Sequence, residues 1–334
     1  FQKNKTFRTS PSFELHLGNL SNNCLDNHLK FINMKKLIIV AGTGFLGQVL
    51  VNYFKNKFEE IIILTRGNSE TKDGIRYVKW NPKAFTGWEK ELENMDLLIN
   101  LAGKSVDCRY TETNKKEILD SRIKSTRILN LAVLNCKNPP KHWMNSSTST
   151  IYRHSLDKQM DEVDGEIGDD FSMNVAKSWE KTFFETETPN TIKTALRTSI
   201  VLGKNGGAFL PLKNLTRLGF GGKQGKGNQF ISWIHEKDFA RAIEFIFQKE
   251  MTGVVNIVSP KPIRNTLFMK TLRKSLGVPT GIPIGEKLLK FGAKIIGTET
   301  ELVLKSRNVI PKRLVENNFE FEFKTLEKAI DNLT

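Results

Sequence analysis

The sequence predicts an α/β fold, a doubly wound parallel sheet with a small, mainly helical C-terminal lobe. Three observations carry that expectation. From Met34 to about Gly203, short runs of Val, Ile and Leu alternate with amphipathic helical stretches. The first run, Leu37-Ile38-Ile39-Val40, leads at once into the glycine-rich turn Ala41-Gly42-Thr43-Gly44-Phe45-Leu46-Gly47 and then into a helix. Beyond Gly203 the alternation loosens into glycine-rich loops and a mainly helical tail.

Taken in order, strands are expected at 36–41, 61–65, 75–79, 96–101, 142–148 and 193–201, with helices at 45–56, 111–135 and 170–186. Apolar runs without polar alternation suit parallel strands covered on both faces. Glycine-rich loops at 203–207 and 219–227 flank a short helix near 209–217. A helix from about 236 to 247, a strand at 254–258 and helices at 264–276, 284–296, 299–305 and 325–333 complete the chain. This divides it into a Rossmann-type domain at 34–250, a substrate lobe drawn from parts of 203–280, and a small C-terminal domain at 281–333. Residues 1–33 show neither helical nor strand periodicity and carry no secretory pattern. They are expected to be disordered or a non-native extension, with Met34 as the natural start.

The chain has 334 residues, 39% of them hydrophobic and 26% charged, the composition of an ordinary globular protein. Its three cysteines, Cys24, Cys108 and Cys136, have no metal-ligand spacing, so no metal site is expected, and they suit a reducing cytoplasm. No apolar run approaches the roughly twenty residues that span a bilayer. The net charge of +15 permits anionic partners. The basic residues are scattered, however, without aromatic interleaving, which argues against nucleic acid. The expected partner is a small-molecule substrate, with no nucleic acid and no membrane, bound by a monomer or homodimer.

Strand, glycine turn and helix in that order form a dinucleotide-binding context. Gly42 allows the tight turn, Gly44 lets the backbone approach a pyrophosphate, and Gly47 lets the helix pack close. Thr43, Gly44, Phe45 and Leu46 open the helix, whose free N–H groups face the phosphates. The second strand ends in Thr65-Arg66-Gly67 with no acid to receive a ribose 2′-hydroxyl. Arg66 stands where a 2′-phosphate needs a cation, so the cofactor read is NADP(H) rather than NAD. After the fourth strand, the small residues of Leu101-Ala102-Gly103 let the cofactor pass close to the backbone.

The fifth strand ends in Ser146-Ser147-Thr148-Ser149-Thr150-Ile151-Tyr152. With this run the chain resembles the extended short-chain dehydrogenases, the sugar-nucleotide epimerase and dehydratase group. That resemblance implies that Thr148 hydrogen-bonds the reacting substrate oxygen. A hydroxyl at a strand's C-terminal edge can donate to a developing alkoxide, or it can simply cap the strand end. The group also uses a Tyr-x-x-x-Lys pair on the following helix. Here, aligned on Glu180, Ser172 and Ala176 stand in those places, and Lys177 lies about 100° round the helix. The literal match Tyr53 to Lys57 falls in the first helix and is read as chance.

Further blocks narrow the resemblance: Trp179-Glu180, Leu196 to Gly203, Gly206-Gly207-Ala208, Gly219-Phe220-Gly221-Gly222, and Ser232-Trp233-Ile234-His235 with Asp238. Together they resemble an atypical short-chain dehydrogenase subfamily labelled epimerase family proteins. The tail, with Asn308 to Leu314 and Phe319-Glu320-Phe321, is similar to that subfamily's C-terminal domain of unknown function. The resemblance covers about residues 34–333. It implies NADP binding, an unassigned substrate, and cofactor contacts from Glu117, Arg122 and Ile200. Arg122 as a phosphate partner is physically sensible; a solvated helical face is the alternative. Ala41 departs from the family's glycine, and Arg153-His154 from its usual Tyr-Gly. Tyr152 is expected beside the nicotinamide. His235 is an acid/base candidate, or a residue that caps the helix after it. The function expected is an NADP(H)-dependent oxidoreductase or epimerase-like enzyme working at a carbinol or carbonyl carbon. The alternative is a catalytically silent NADP-binding regulator, since some relatives carry a label linking them to cell or plastid division.

Overall fold

Strand β1 (Lys36–Val40) shows how the sheet is built. Leu37 and Ile39 face one side and Ile38 and Val40 the other, and all four are fully buried. Both faces are therefore covered, as the apolar run requires. The computed structural model describes residues 34–296 and 299–334; the expectations for 1–33 lie outside the described residues.

After β1 come α1 (Phe45–Phe54), β2 (Glu60–Thr65), β3 (Glu70–Lys72), β4 (Ile75–Lys79), β5 (Leu97–Asn100), α2 (Glu112–Asn135) and β6 (His142–Thr148). A 3₁₀ turn (Ser149–Ile151), α3 (Phe171–Phe184) and β7 (Ile192–Thr198) follow. The main sheet has the order β12-β7-β6-β5-β1-β2-β4-β3, with β12 at Gly253–Ile257. Its pairs are parallel except β3 with β4. The chain winds outward from β1 through β2 and β4, then returns to the other side of β1 through β5, β6, β7 and β12. This is a Rossmann-type doubly wound sheet, and its switch point lies between the C-terminal ends of β1 and β5.

The remaining elements build the lobe and complete the cover of the main sheet. β8 (Ile200–Gly203), β9 (Gly206–Gly207) and β11 (Trp233–His235) form a three-stranded sheet, and β10 (Phe230–Ile231) pairs with β13 (Ile263–Arg264). The helices are α4 (Phe209–Leu215), α5 (Glu236–Gln248), α6 (Asn265–Ser275), α7 (Glu286–Ile296), α8 (Glu301–Leu304), α9 (Lys312–Glu316) and α10 (Leu326–Leu333). The single strand expected at 193–201 is thus two. β7 ends at Thr198, and β8 restarts at Ile200 in the lobe's own sheet.

One face of the main sheet packs on α1 and α5 through Leu37, Ile39, Leu50, Phe54, Phe239 and Ile243. The other packs on α2 and α3 through Ile38, Val40, Leu129, Val133, Trp143 and Phe183. Among the described residues, the segment expected as a separate C-terminal domain has no core of its own. Leu314, Phe319 and Phe321 join the first of these cores. Phe323, Leu326, Ile330 and Leu333 join the lobe core with Phe209, Trp233 and Phe268.

Candidate active site

The turn between β1 and α1 is shaped by close approach. A Cβ on Gly47 would sit 2.1 Å from the Gly42 carbonyl oxygen, so only glycine lets α1 lie against the turn. Ala41 occupies the left-handed region at φ 56. The subfamily's glycine at this place is explained by that φ, and alanine accepts about 1–2 kcal/mol of strain there. Above Gly44 the space is open, with no atom within 4 Å of an added Cβ. Gly44 is also the N-cap of α1, and no side chain caps this helix. By contrast, Thr111, Asp170 and Thr325 cap α2, α3 and α10 with their side chains. The first-turn N–H groups of Phe45, Leu46 and Gly47 therefore point into an open, exposed cradle with Thr43 on its rim.

Arg66 is the first residue after β2, is exposed, and has no ion-pair or hydrogen-bond partner among the described residues. Thr65 accepts the Gly67 N–H at 3.2 Å. A cleft of about 610 Å³ shares Thr43, Gly44 and Phe45 with the cradle. It runs along the flank of α1 to Tyr53 and α5 and contains no residue from the ends of β5 and β6.

At the end of β5, the Leu101 N–H donates to the Val40 carbonyl at 3.1 Å and the Ala102 N–H to Asn100 Oδ1 at 3.0 Å. Asn100 also donates to Asn145 of β6 at 2.7 Å, a buried pair that ties the two strands beside the site. Gly103 admits Arg122, whose Cζ would lie 3.2 Å from an added Cβ. The Arg122 guanidinium donates to the Lys104 and Ile118 carbonyls at 3.1 and 2.9 Å and stacks over Trp179 at 5.0 Å. No carboxylate meets it among the described residues, and burial pushes it down to about 10, still charged at neutral pH. Glu117, expected along the cofactor, is exposed and bound to Lys104 instead. Ile200 packs against the lobe core rather than into the cradle.

At the end of β6, Ser146 and Thr148 share the half-exposed face, while Ser147 turns inward to Glu180 at 2.5 Å. Thr148 Oγ1 accepts the Thr150 N–H at 3.1 Å and so caps the 3₁₀ turn. Capping uses a lone pair, so the hydroxyl hydrogen is free to serve a substrate.

Two expected site residues are corrected. Tyr152 is fully buried, donating to Asn256 at 3.0 Å and accepting from Arg197 at 2.8 Å. Arg197 in turn holds Glu180 through 2.7 and 2.8 Å contacts, so this phenol belongs to a packed, buried network rather than to the exposed sheet edge. Burial also pushes its pKa up. His235 is 1% exposed, stacks on Phe323 at 3.7 Å, and accepts the Lys237 N–H at 3.1 Å as the N-cap of α5. Burial pushes its pKa down to about 4, which leaves it neutral and structural. His154 similarly accepts the Ser306 N–H at 3.0 Å. Lys177 is held by Asp169 at 2.6 Å, and Ala176 is buried. Sequence reasoning missed Tyr110, on the loop after β5, whose ring meets Phe171 of α3 with centroids 5.0 Å apart; no local pattern marks it.

The described geometry matches known proteins. Residues 37–171 match the NAD dependent epimerase/dehydratase family, and residues 288–333 match a domain of unknown function, DUF1731. The epimerase family protein YfhF of Bacillus subtilis (strain 168) is 32% identical over 302 residues, covering 89% of this chain and 97% of that protein. The chain belongs to the NAD dependent epimerase/dehydratase family. An epimerase family protein of Staphylococcus aureus (strain NCTC 8325 / PS 47) is also 32% identical, over 303 residues, covering 90% of this chain and 99% of its own length. Human epimerase family protein SDR39U1 (isoform 2), crystallised with NADPH, superposes with a TM-score of 0.78 at 28% identity. The match covers 89% of this chain and 98% of the human one. In this family member, the cradle and the C-terminal ends of β5 and β6 lie along the same edge of the parallel sheet. Among the described residues no helix is long and apolar enough to cross a membrane.

Proposed function

We propose that this protein is an NADP(H)-dependent oxidoreductase that acts at a carbinol or carbonyl carbon of a small-molecule substrate. The observation that carries the reading is the uncapped N-terminus of α1 over an open cradle at the switch point, with unpaired Arg66 at the next strand end. The human relative solved with NADPH supports the same choice of cofactor. The residues fit that group. The first-turn N–H groups of α1 would hold the pyrophosphate, Arg66 the 2′-phosphate, and Leu101, Ala102 and Gly103 the passage beside it. When bound, the nicotinamide supplies or accepts the hydride. Thr148 donates a hydrogen bond to the substrate oxygen as negative charge grows on it. A regulatory reading is favoured by one observation, the Ser172 and Ala176 that replace the helix Tyr and Lys.

The test is NADPH oxidation against a panel of aldehydes and ketones. Wild type should turn over at least one of them. Thr148→Val should bind NADPH equally and turn over about 10²–10³ more slowly, the scale for removing one preorganised donor. NADPH binding with no turnover across the panel would leave the regulatory reading.

A further inference from the structure

Arg66 brings one positive charge to the place assigned to the 2′-phosphate, yet a phosphate monoester carries about −1.5 to −2 at neutral pH. The next strand outward brings a second cation. In the sheet order, β1 is followed by β2 and then by β4. Each step outward is about 4.8 Å. β2 and β4 run parallel and end level, with Thr65 directly opposite Lys79. Along one edge of the sheet the chain thus sets the cradle at the end of β1, Arg66 one strand out and Lys79 two strands out.

Local hydrogen bonds fix this corner. The Trp80 N–H donates to the Thr65 carbonyl at 2.7 Å, which carries the ladder one residue past both strands. The Trp80 ring is buried and meets Trp88 edge-on at 6.1 Å, in the core that covers one face of the sheet. Side chains alternate along a strand, so Lys79 stands on the opposite face, where α1 packs. The loop after β2 returns to the same corner. Thr65 Oγ1 accepts the Gly67 N–H at 3.2 Å, and Ser69 Oγ accepts the Lys79 N–H at 2.9 Å. The Lys79 side chain is exposed and, like that of Arg66, has no ion-pair or hydrogen-bond partner among the described residues. Glu60 and Glu91 are taken by Arg76 at 2.9 and 2.6 Å. Glu70 stands opposite Tyr77 on β3 and forms no ion pair with Lys79 among the described residues.

We infer that Lys79 is the second cation of a 2′-phosphate clamp, closing from β4 on a group that Arg66 holds from β2. The inference rests on the NADP(H) reading above and deepens it. Two cations balance the dianion, and neither has a carboxylate partner to give up when the phosphate arrives. Arg66 offers a planar fork, and Lys79 a point charge on a flexible stem that reaches from the neighbouring strand. Discrimination between a 2′-phosphate and a 2′-hydroxyl is then shared by two strand ends.

The test is calorimetric titration of the full chain with adenosine 2′,5′-bisphosphate and with 5′-AMP, which carry or lack the phosphate in question and need no turnover. Wild type should bind the bisphosphate more tightly. Lys79→Ala should weaken the bisphosphate about three- to tenfold and leave 5′-AMP unchanged, a smaller loss than at Arg66 because an exposed lysine is screened and loses more freedom. Lys79→Arg should restore most of the affinity. Lys72 is also an exposed lysine, but it opposes Ile75 at the far end of β4, so Lys72→Ala should change neither ligand. Phosphorus NMR adds a readout that a merely structural role would not move. The second pKa of the 2′-phosphate, ordinarily about 6, should fall on binding, and Lys79→Ala should give back part of that fall. Bisphosphate binding unchanged in Lys79→Ala, or weakened as much in Lys72→Ala, overturns the inference, while a selective loss in Arg66→Ala keeps the cofactor reading. Equal wild-type affinity for the two ligands removes that reading, and this inference with it.

Discussion

His142 and His235 illustrate how far a residue's neighbours decide its role. Each is buried, and burial pushes each pKa from 6.5 down to about 4. His142 bridges to Thr194 at 2.8 Å inside the sheet, and His235 caps α5. In the unfolded chain both bind a proton near pH 6.5. In the folded chain they stay neutral until about pH 4. Their contribution to stability is therefore present above pH 6.5 and is lost as pH falls through the window down to about 4. Between pH 7 and pH 5 each should withdraw about 2 kcal/mol. Urea unfolding at the two pH values measures this, and His235→Asn, which keeps a capping group without titrating, should remove about half of the loss. A stability unchanged between pH 7 and pH 5 would contradict these burials. The sequence leaves His235 two roles, acid/base or cap of the helix after it. The Phe323 ring that buries it comes from the far end of the chain, which no local pattern shows.

At the scale of elements, α1 departs from α2, α3 and α10, whose first turns carry side-chain caps. It is apolar on its buried face and has no acid in its first turn and no side-chain cap. An uncapped helix start is a stability cost unless another group meets its N–H donors. Gly44→Asp should fit, because the Gly44 φ of −81 is ordinary and nothing lies within 4 Å of an added Cβ. An aspartate there should stabilise the apoprotein by about a few tenths of a kcal/mol as a cap. It should also weaken NADPH at least about tenfold, since a carboxylate then occupies the anion position. Denaturation and cofactor titration on one sample read both effects, and unchanged NADPH binding would place the phosphates elsewhere. This strand, turn and helix were legible because their spacing is local. The break between β7 and β8 was not. Ile192 to Gly203 is one nearly continuous β-forming run, and only the partners Trp233 to His235 show that it serves two sheets. Tyr110 was illegible for the same reason, since the Phe171 ring that meets it comes from a distant element.

Over the whole molecule, the C-terminal segment stitches the two lobes together. The Asp238 carboxylate accepts the Glu322 and Phe323 N–H groups at 2.9 and 2.8 Å, where the chain passes from one core to the other. Phe321 lies in the sheet core and Phe323 in the lobe core. The cradle and the lobe also touch directly. Added Cβ atoms on Gly203 and Gly206 would sit 2.2 and 2.5 Å from the Phe45 ring. Shared cores couple unfolding. Calorimetry should therefore show a single transition for the chain, and two separated transitions would contradict the shared packing. The expected boundary at residue 281 came with the resemblance of the tail to a C-terminal domain, and a local pattern cannot reveal that the helices beyond it complete cores begun elsewhere.

The cofactor assignment joins all three scales, from one side chain through a strand end to the switch point of the sheet. Its most direct test is equilibrium binding of NADPH and NADH to wild type and Arg66→Ala. Wild type should prefer NADPH, and Arg66→Ala should weaken NADPH by about 1.5–3 kcal/mol while leaving NADH nearly unchanged, the range for a hydrogen bond to a charged group. Tighter wild-type binding of NADH, or an equal loss for both cofactors, would contradict it.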